Sequence, residues 1–124
     1  MNGNANDYSN CPHQQPIIHG NVMPSTNRFG SPNSCYYFPG QSDAWIEIPH
    51  DDNLNLTNNF TVSAWFNRDV DCQHGSLLCM GRDVEDGWKL YTNSINVNGS
   101  HSNNGIDARN FTQTIPGRWY MATG

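Results

Sequence analysis

Basic residues are scarce in this chain: six Lys plus Arg stand against eleven Asp plus Glu in 124 residues, for a net charge of −5. No basic run offsets that deficit, which argues against the phosphate-neutralising footprint of a nucleic-acid binder and against attraction to an anionic membrane surface. Long apolar runs are missing too. A membrane span needs ~20 such residues, so membrane insertion is not expected. Met1-Asn2-Gly3-Asn4 begins nothing like the charged and apolar regions of a signal peptide. Helical periodicity is absent from every stretch long enough to support a helix, and no internal repeat is visible, which sets aside propellers and solenoids.

Glutamate is equally rare, with only Glu47 and Glu85 present. Glycoside hydrolysis needs two carboxylates facing each other across a groove, ~5 to 9.5 Å apart. The run Asp83-Val84-Glu85-Asp86-Gly87 is acidic but reads as a turn. Neither a Gly-x-Ser-x-Gly elbow nor a phosphate-binding loop occurs, and the chain is not expected to be an enzyme.

What fills the chain instead is Asn, Ser, Thr and Gly. Hydrophobic residues make up 35% and charged residues 14%, both low. The polarity is that of turns and loops, so it lacks the like-charge repulsion that drives disorder. The length suits one domain.

The clearest element is Phe60-Thr61-Val62-Ser63-Ala64-Trp65-Phe66. Strict alternation puts Phe60, Val62, Ala64 and Phe66 on one buried face and Trp65 on the other. Such a strand needs neighbours for its backbone and a second layer over its apolar row. Further strands are predicted at Cys35-Tyr36-Tyr37-Phe38, closed by Pro39-Gly40, and at Ala44-Trp45-Ile46-Glu47-Ile48. In the second of these, Ile46 and Ile48 share one face, Trp45 and Glu47 the other, and Pro49 is the stop.

Ser76-Leu77-Leu78-Cys79-Met80 is another strand. Trp88-Lys89-Leu90-Tyr91 and Ser94-Ile95-Asn96-Val97 read as a hairpin across Thr92-Asn93, and Arg118-Trp119-Tyr120-Met121-Ala122 begins a last strand. Residues 98–110 are too polar for a packed face. Residues 1–26 form a loop-rich segment packing on the sandwich, with one short edge strand around Ile17. The expected fold is an all-β antiparallel sandwich or barrel.

In order and spacing these motifs resemble the LamG-like (laminin G/pentraxin-like) domains of the concanavalin A-like lectin/glucanase superfamily. The resembling run opens with Asn27-Arg28-Phe29-Gly30, where Asp-Arg-Phe-Gly is common. Asn33-Ser34-Cys35-Tyr36-Tyr37-Phe38-Pro39-Gly40 follows, where Asn-x-Ala-x-x-Phe-Asp-Gly is usual. Trp45-Ile46-Glu47-Ile48-Pro49, Leu54-Asn55-Leu56, the strand at 60–66, Leu77-Leu78-Cys79-Met80-Gly81 and Gly117-Arg118-Trp119-Tyr120-Met121-Ala122 complete it.

The resemblance implies a two-sheet jelly roll of concanavalin A-like type. It also implies that residues 27–124 are the front half of that sandwich, a partial domain with exposed sheet edges open to self-association. A non-catalytic module recognising glycans or protein surfaces, within a larger extracellular or cell-surface protein, is the implied function. The alternatives are a structural or adhesive domain without a small-ligand site, or an accessory part of a glycoside hydrolase. The Glu-x-Asp-x-x-Glu strand motif of the superfamily's glucanases is absent.

Calcium is the implied cofactor, with Asp43 in the Gly40-Gln41-Ser42-Asp43 loop and Asp51, beside Asp52, in the next. The alternative is ordinary turn-capping Asp. Sugar binding by such sandwiches uses aromatic faces. Trp45, Trp65, Trp88 and Trp119 are the possible platforms. Trp65 and Trp119 are read as core, and Trp88, beside the 83–87 loop, is the better candidate, with Tyr91 and Asp86.

The four cysteines are Cys11, Cys35, Cys72 and Cys79. Cys72 and Cys79 flank a turn and would bridge if their Cα atoms came within ~7 Å; otherwise the thiols are free, with Cys35 and Cys79 as small core residues. A zinc site from Cys11, His13 and His19 lacks a second ligand pair. Asn-x-Ser/Thr triplets occur at Asn55, Asn59, Asn98 and Asn110, as an Asn-rich chain produces by chance.

Overall fold

A computed structural model describes residues 4–6, 8, 14–54, 60–69, 75–80, 88–93, 96–101, 106–110 and 114–124. The described chain is all-β and its sheets are antiparallel, consistent with a β-sandwich. It divides into two compact units, Met1–Asn58 and Asn59–Gly124.

The first unit holds two ribbons. Strand β1 (Ile17–His19) pairs with β4 (Trp45–Glu47), and β2 (Met23–Ser25) pairs with β3 (Cys35–Tyr37). The segment before residue 27 therefore supplies one strand to each ribbon, including the short strand expected around Ile17. Pro24 sits in β2 opposite Tyr36. A two-stranded ribbon tolerates it, since a proline without an N–H needs only an unpaired side to face.

Val22 is the buried apolar residue here among those described. Ile46 is half-buried, as expected for the inner face of β4, but Ile48 is exposed at 58%. The strand ends at Glu47, so the alternation that would have turned Ile48 inward stops before reaching it.

A turn links β2 to β3. Asn27 Oδ1 accepts hydrogen bonds from the backbone N–H groups of Phe29 (2.9 Å) and Ser31 (3.1 Å), and the Asn27 N–H donates to the Ser31 carbonyl at 3.0 Å. The side chain thus does the work of a backbone acceptor within the turn.

The second unit carries β5 (Ser63–Asn67), β6 (Gly75–Met80), β7 (Trp88–Asn93), β8 (Asn96–His101), β9 (Ile106–Asn110) and β10 (Trp119–Thr123). β5 pairs with β10, while β6 to β9 form a meander in chain order. Val62 and Gly124 exchange backbone hydrogen bonds of 2.9 and 3.0 Å, carrying the β5–β10 ladder one step further.

The predicted alternation at 60–66 holds. Phe66 is buried, Phe60, Val62 and Ala64 are half-buried, and Thr61, Ser63 and Trp65 are exposed. Phe66, Leu90 and Ala122 form the core, with Val62, Leu77, Leu78 and Tyr120 against it. Residues of both sheets thus share one apolar interior.

Leu77 and Leu78 are adjacent, and regular strand geometry would send them to opposite faces. The register steps from Ser76↔Tyr91 to Leu78↔Leu90, a bulge that leaves Leu77 without a partner of its own. An extra residue re-aims its side chain, and both leucines reach the core.

Three expectations need correction here. Trp65 is 47% exposed, because Ala64 and Phe66 take the inner face of β5; it is not core. Cys79 is exposed because the inward positions of β6 belong to the leucines; it and Cys35 are free thiols. Thr92 and Asn93, expected to turn the hairpin, are paired residues of β7, Asn93 with Asn96 and Thr92 with Val97. Thr92 is 3% exposed and its hydroxyl donates to the Gly75 carbonyl at 3.3 Å, so it belongs to the strand. The polar stretch expected to lack a packed face carries strand pairing all the same: β8 and β9 pair from Val97↔Asn110 to His101↔Ile106, backbone bonding that no apolar pattern announces.

Arg68, 7% exposed, follows β5 and donates from Nη2 to the Thr114 carbonyl at 2.6 Å. Its own carbonyl accepts from the Gly117 N–H at 2.8 Å, and the Ile115 N–H donates to the Tyr120 hydroxyl at 3.0 Å. These bonds fasten the approach to β10 onto the end of β5.

Candidate functional site

The best-built surface constellation among the described residues lies on one face of the β1–β4 ribbon. The register sets His19 opposite Trp45, and Glu47 opposite Ile17. Residues two apart on a strand share a face, so Trp45 and Glu47 both meet His19. The imidazole and indole are stacked with centroids 4.3 Å apart and planes 18° from parallel. His19 Nε2 lies 2.8 Å from Glu47 Oε2. A carboxylate only accepts, so Nε2–H is the donor and Nδ1 is left to face other partners.

All three remain accessible. Trp45 is 45% exposed, and the His19 and Glu47 side chains 31% and 47%. An exposed pair of this kind adds at most about 1 kcal/mol to stability. What the arrangement does is geometric: the imidazole backs one face of the indole and holds the carboxylate beside it.

Gly20 fixes the end of the ribbon where His19 meets Trp45. Its φ is +62°, and a Cβ placed on it would collide with the Asp43 carbonyl oxygen and lie 3.1 Å from Ala44 Cα. Only glycine permits that approach, and the backbone just before Trp45 is thereby pressed against the backbone just after His19.

The aromatic site expected around β7 is divided by the strand's own geometry. Trp88, Leu90 and Thr92 share the inner face. Trp88 is half-buried, its ring tilted 50° against Phe60 at 5.6 Å, with Nε1 buried and unbonded among the described residues. Tyr91, three positions on, lies on the opposite face, where Lys89 Nζ stands 5.6 Å from its ring centroid. The two rings therefore do not form one platform. Asp86 and Glu85 lie outside the described residues.

Asp43 is exposed in the turn before β4, and Asp51 is half-buried ahead of a short 3-10 turn, Asp52–Leu54, with its carbonyl accepting from the Leu54 N–H at 2.9 Å. Among the described residues no three His, Cys, Asp or Glu side chains gather as metal ligands. Of the zinc residues considered, His19 is engaged with Trp45 and Glu47, and Cys11 and His13 lie outside the described residues, as does Cys72.

The sequence pointed to Trp45 as one of several platforms and to Glu47 on its face. It missed His19 as their partner. The signal was a short edge strand near Ile17, but nothing in it said which strand it would join.

No family model, curated protein or solved structure matches the chain.

Proposed function

We propose that this chain is a non-catalytic binding module that recognises glycans, built as a LamG-like jelly roll and working in an extracellular or cell-surface protein. The observation that carries the reading is the half-exposed Trp45 indole, backed by His19 and flanked by Glu47. Protein–sugar contact needs a fixed aromatic face and a few oriented polar atoms, and these three residues supply both.

The jelly-roll assignment is supported by the antiparallel all-β architecture and by the motif order given above. The turn at Asn27 fits it as well, since Asn27 Oδ1 supplies the acceptor that the commoner Asp would supply. Calcium at Asp43 and Asp51 belongs to the same proposal and rests on the resemblance alone.

A glycan array probed with the purified chain, with and without calcium, tests the function. Binding that Trp45→Ala removes is expected. Hydrolysis of a bound polysaccharide, lost on Glu47→Gln, would overturn the non-catalytic reading.

The outer face of the β5–β10 ribbon favours a second reading, an adhesive domain that meets another protein. Trp65 and Met121 are cross-strand partners, exposed at 47% and 58%. Exposed aromatic and thioether side chains together suit a protein contact. Self-association that Met121→Lys abolishes would favour this reading over the first.

A further inference from the structure

We infer that the Trp45 face takes uncharged pyranose sugars with adjacent hydroxyls and discriminates against acidic glycans; this rests on the glycan-binding reading above and specifies its ligand class. Among the described residues the site presents an electron-rich indole face with a carboxylate beside it. Glu47 Oε2 is engaged with His19, which leaves Oε1 as the carboxylate oxygen open to a ligand. His19 Nε2 is likewise committed to Glu47, which leaves Nδ1 as the ring nitrogen open to a ligand. The exposed indole presents the negative face of its quadrupole, and its N–H is a donor.

Such a surface fits C–H groups of slight positive charge over the ring and O–H donors beside it, which is what the flat side of a pyranose with neighbouring hydroxyls presents. A sulfate or uronate would bring a second negative charge against Glu47, in a chain whose net charge is already −5. A cationic ligand is the other electrostatic match. Ammonium recognition, however, uses aromatic faces that enclose the cation. Here His19 covers one face of the Trp45 indole and leaves the other open, so the site is an open platform.

The experiment is isothermal titration of the full chain with chitotriose, its deacetylated amine counterpart, a mannotriose, a galactose-terminated trisaccharide, an oligogalacturonate and a heparin tetrasaccharide. The expected result is binding to at least one neutral sugar, weakened about tenfold or more by Trp45→Ala and by Glu47→Gln, where ~1.4 kcal/mol corresponds to tenfold. Trp45→Phe should retain part of the affinity, and it keeps the test valid if the alanine variant does not fold.

Tighter binding of oligogalacturonate or heparin than of every neutral sugar overturns the ligand class, as does tighter binding of the deacetylated trimer than of chitotriose. Neutral-sugar binding that survives both Trp45→Phe and Glu47→Gln unchanged overturns the site while the glycan-binding reading stands. If the intact chain binds none of the six, both fall.

Discussion

His19 stands directly across the β1–β4 ribbon from Trp45, their rings 4.3 Å apart and nearly parallel, although 25 residues of chain lie between them. That stack, together with the bond to Glu47, makes His19 a positioning residue. His19→Phe keeps a ring behind the indole and loses the bond to Glu47; His19→Gln does the reverse. The expected outcome is that His19→Phe preserves the near-ultraviolet circular dichroism of the stack but weakens sugar binding, while His19→Gln changes both. Equal binding by His19→Phe and the parent chain would remove Glu47 orientation from the account.

The Gly20 approach gives a second prediction. Gly20→Ala must relieve both a left-handed φ and a collision with the Asp43 carbonyl, whereas Gly40→Ala, at φ +74° with no atom within 4 Å, meets the backbone penalty alone. The backbone penalty is about 1 to 2 kcal/mol. Gly20→Ala should therefore destabilise more in urea and should also disturb the Trp45 circular dichroism signal. Equal effects at the two glycines would mean that the Asp43 contact yields without cost.

Burial on β5 is sharply divided, with Phe66 at 9% exposure and its neighbour Trp65 at 47%. Phe66→Ala should cost about 3 to 5 kcal/mol, in the range for emptying a core aromatic site. Trp65→Ala should cost clearly less despite removing the larger side chain. Urea unfolding of both variants checks this, and a larger loss at Trp65 would show that the inner face had been assigned the wrong way round.

The bulge in β6 predicts that Leu77→Ala and Leu78→Ala are both destabilising, each by ~1.5 kcal/mol or more for lost burial. A regular strand would leave one of them nearly silent. Measured unfolding free energies that differ by the full amount, with one near zero, would contradict the bulge.

Much of the second unit was legible because burial writes itself into alternation. Alternation assigns residues 60–66 to faces one by one and by itself puts Trp65 outside; only strand strength, a weaker guide, points Trp65 to the core. β8 and β9 were illegible because what holds them is backbone pairing, and amide hydrogen bonds need no particular side chain. Thr92 beside Asn93 has the composition of a turn, yet a buried hydroxyl that finds the Gly75 carbonyl is at home in a strand.

The site was half legible. Alternation put Trp45 and Glu47 on one face of β4. His19 could not be placed with them, because a three-residue strand carries too little pattern to name its partner or its register. The same limit divided Trp88 from Tyr91: both are aromatic and close in sequence, but their odd spacing on β7 separates them.

The most direct measurement is an amide and indole correlation spectrum of the chain, whose four tryptophans give four indole N–H signals, titrated with the best neutral oligosaccharide. The account predicts a progressive shift of the Trp45 indole signal and of the Glu47 and His19 amides, with the Trp88 indole signal, from a ring packed on Phe60, unmoved. A shifting Trp88 signal with Trp45 stationary would contradict it.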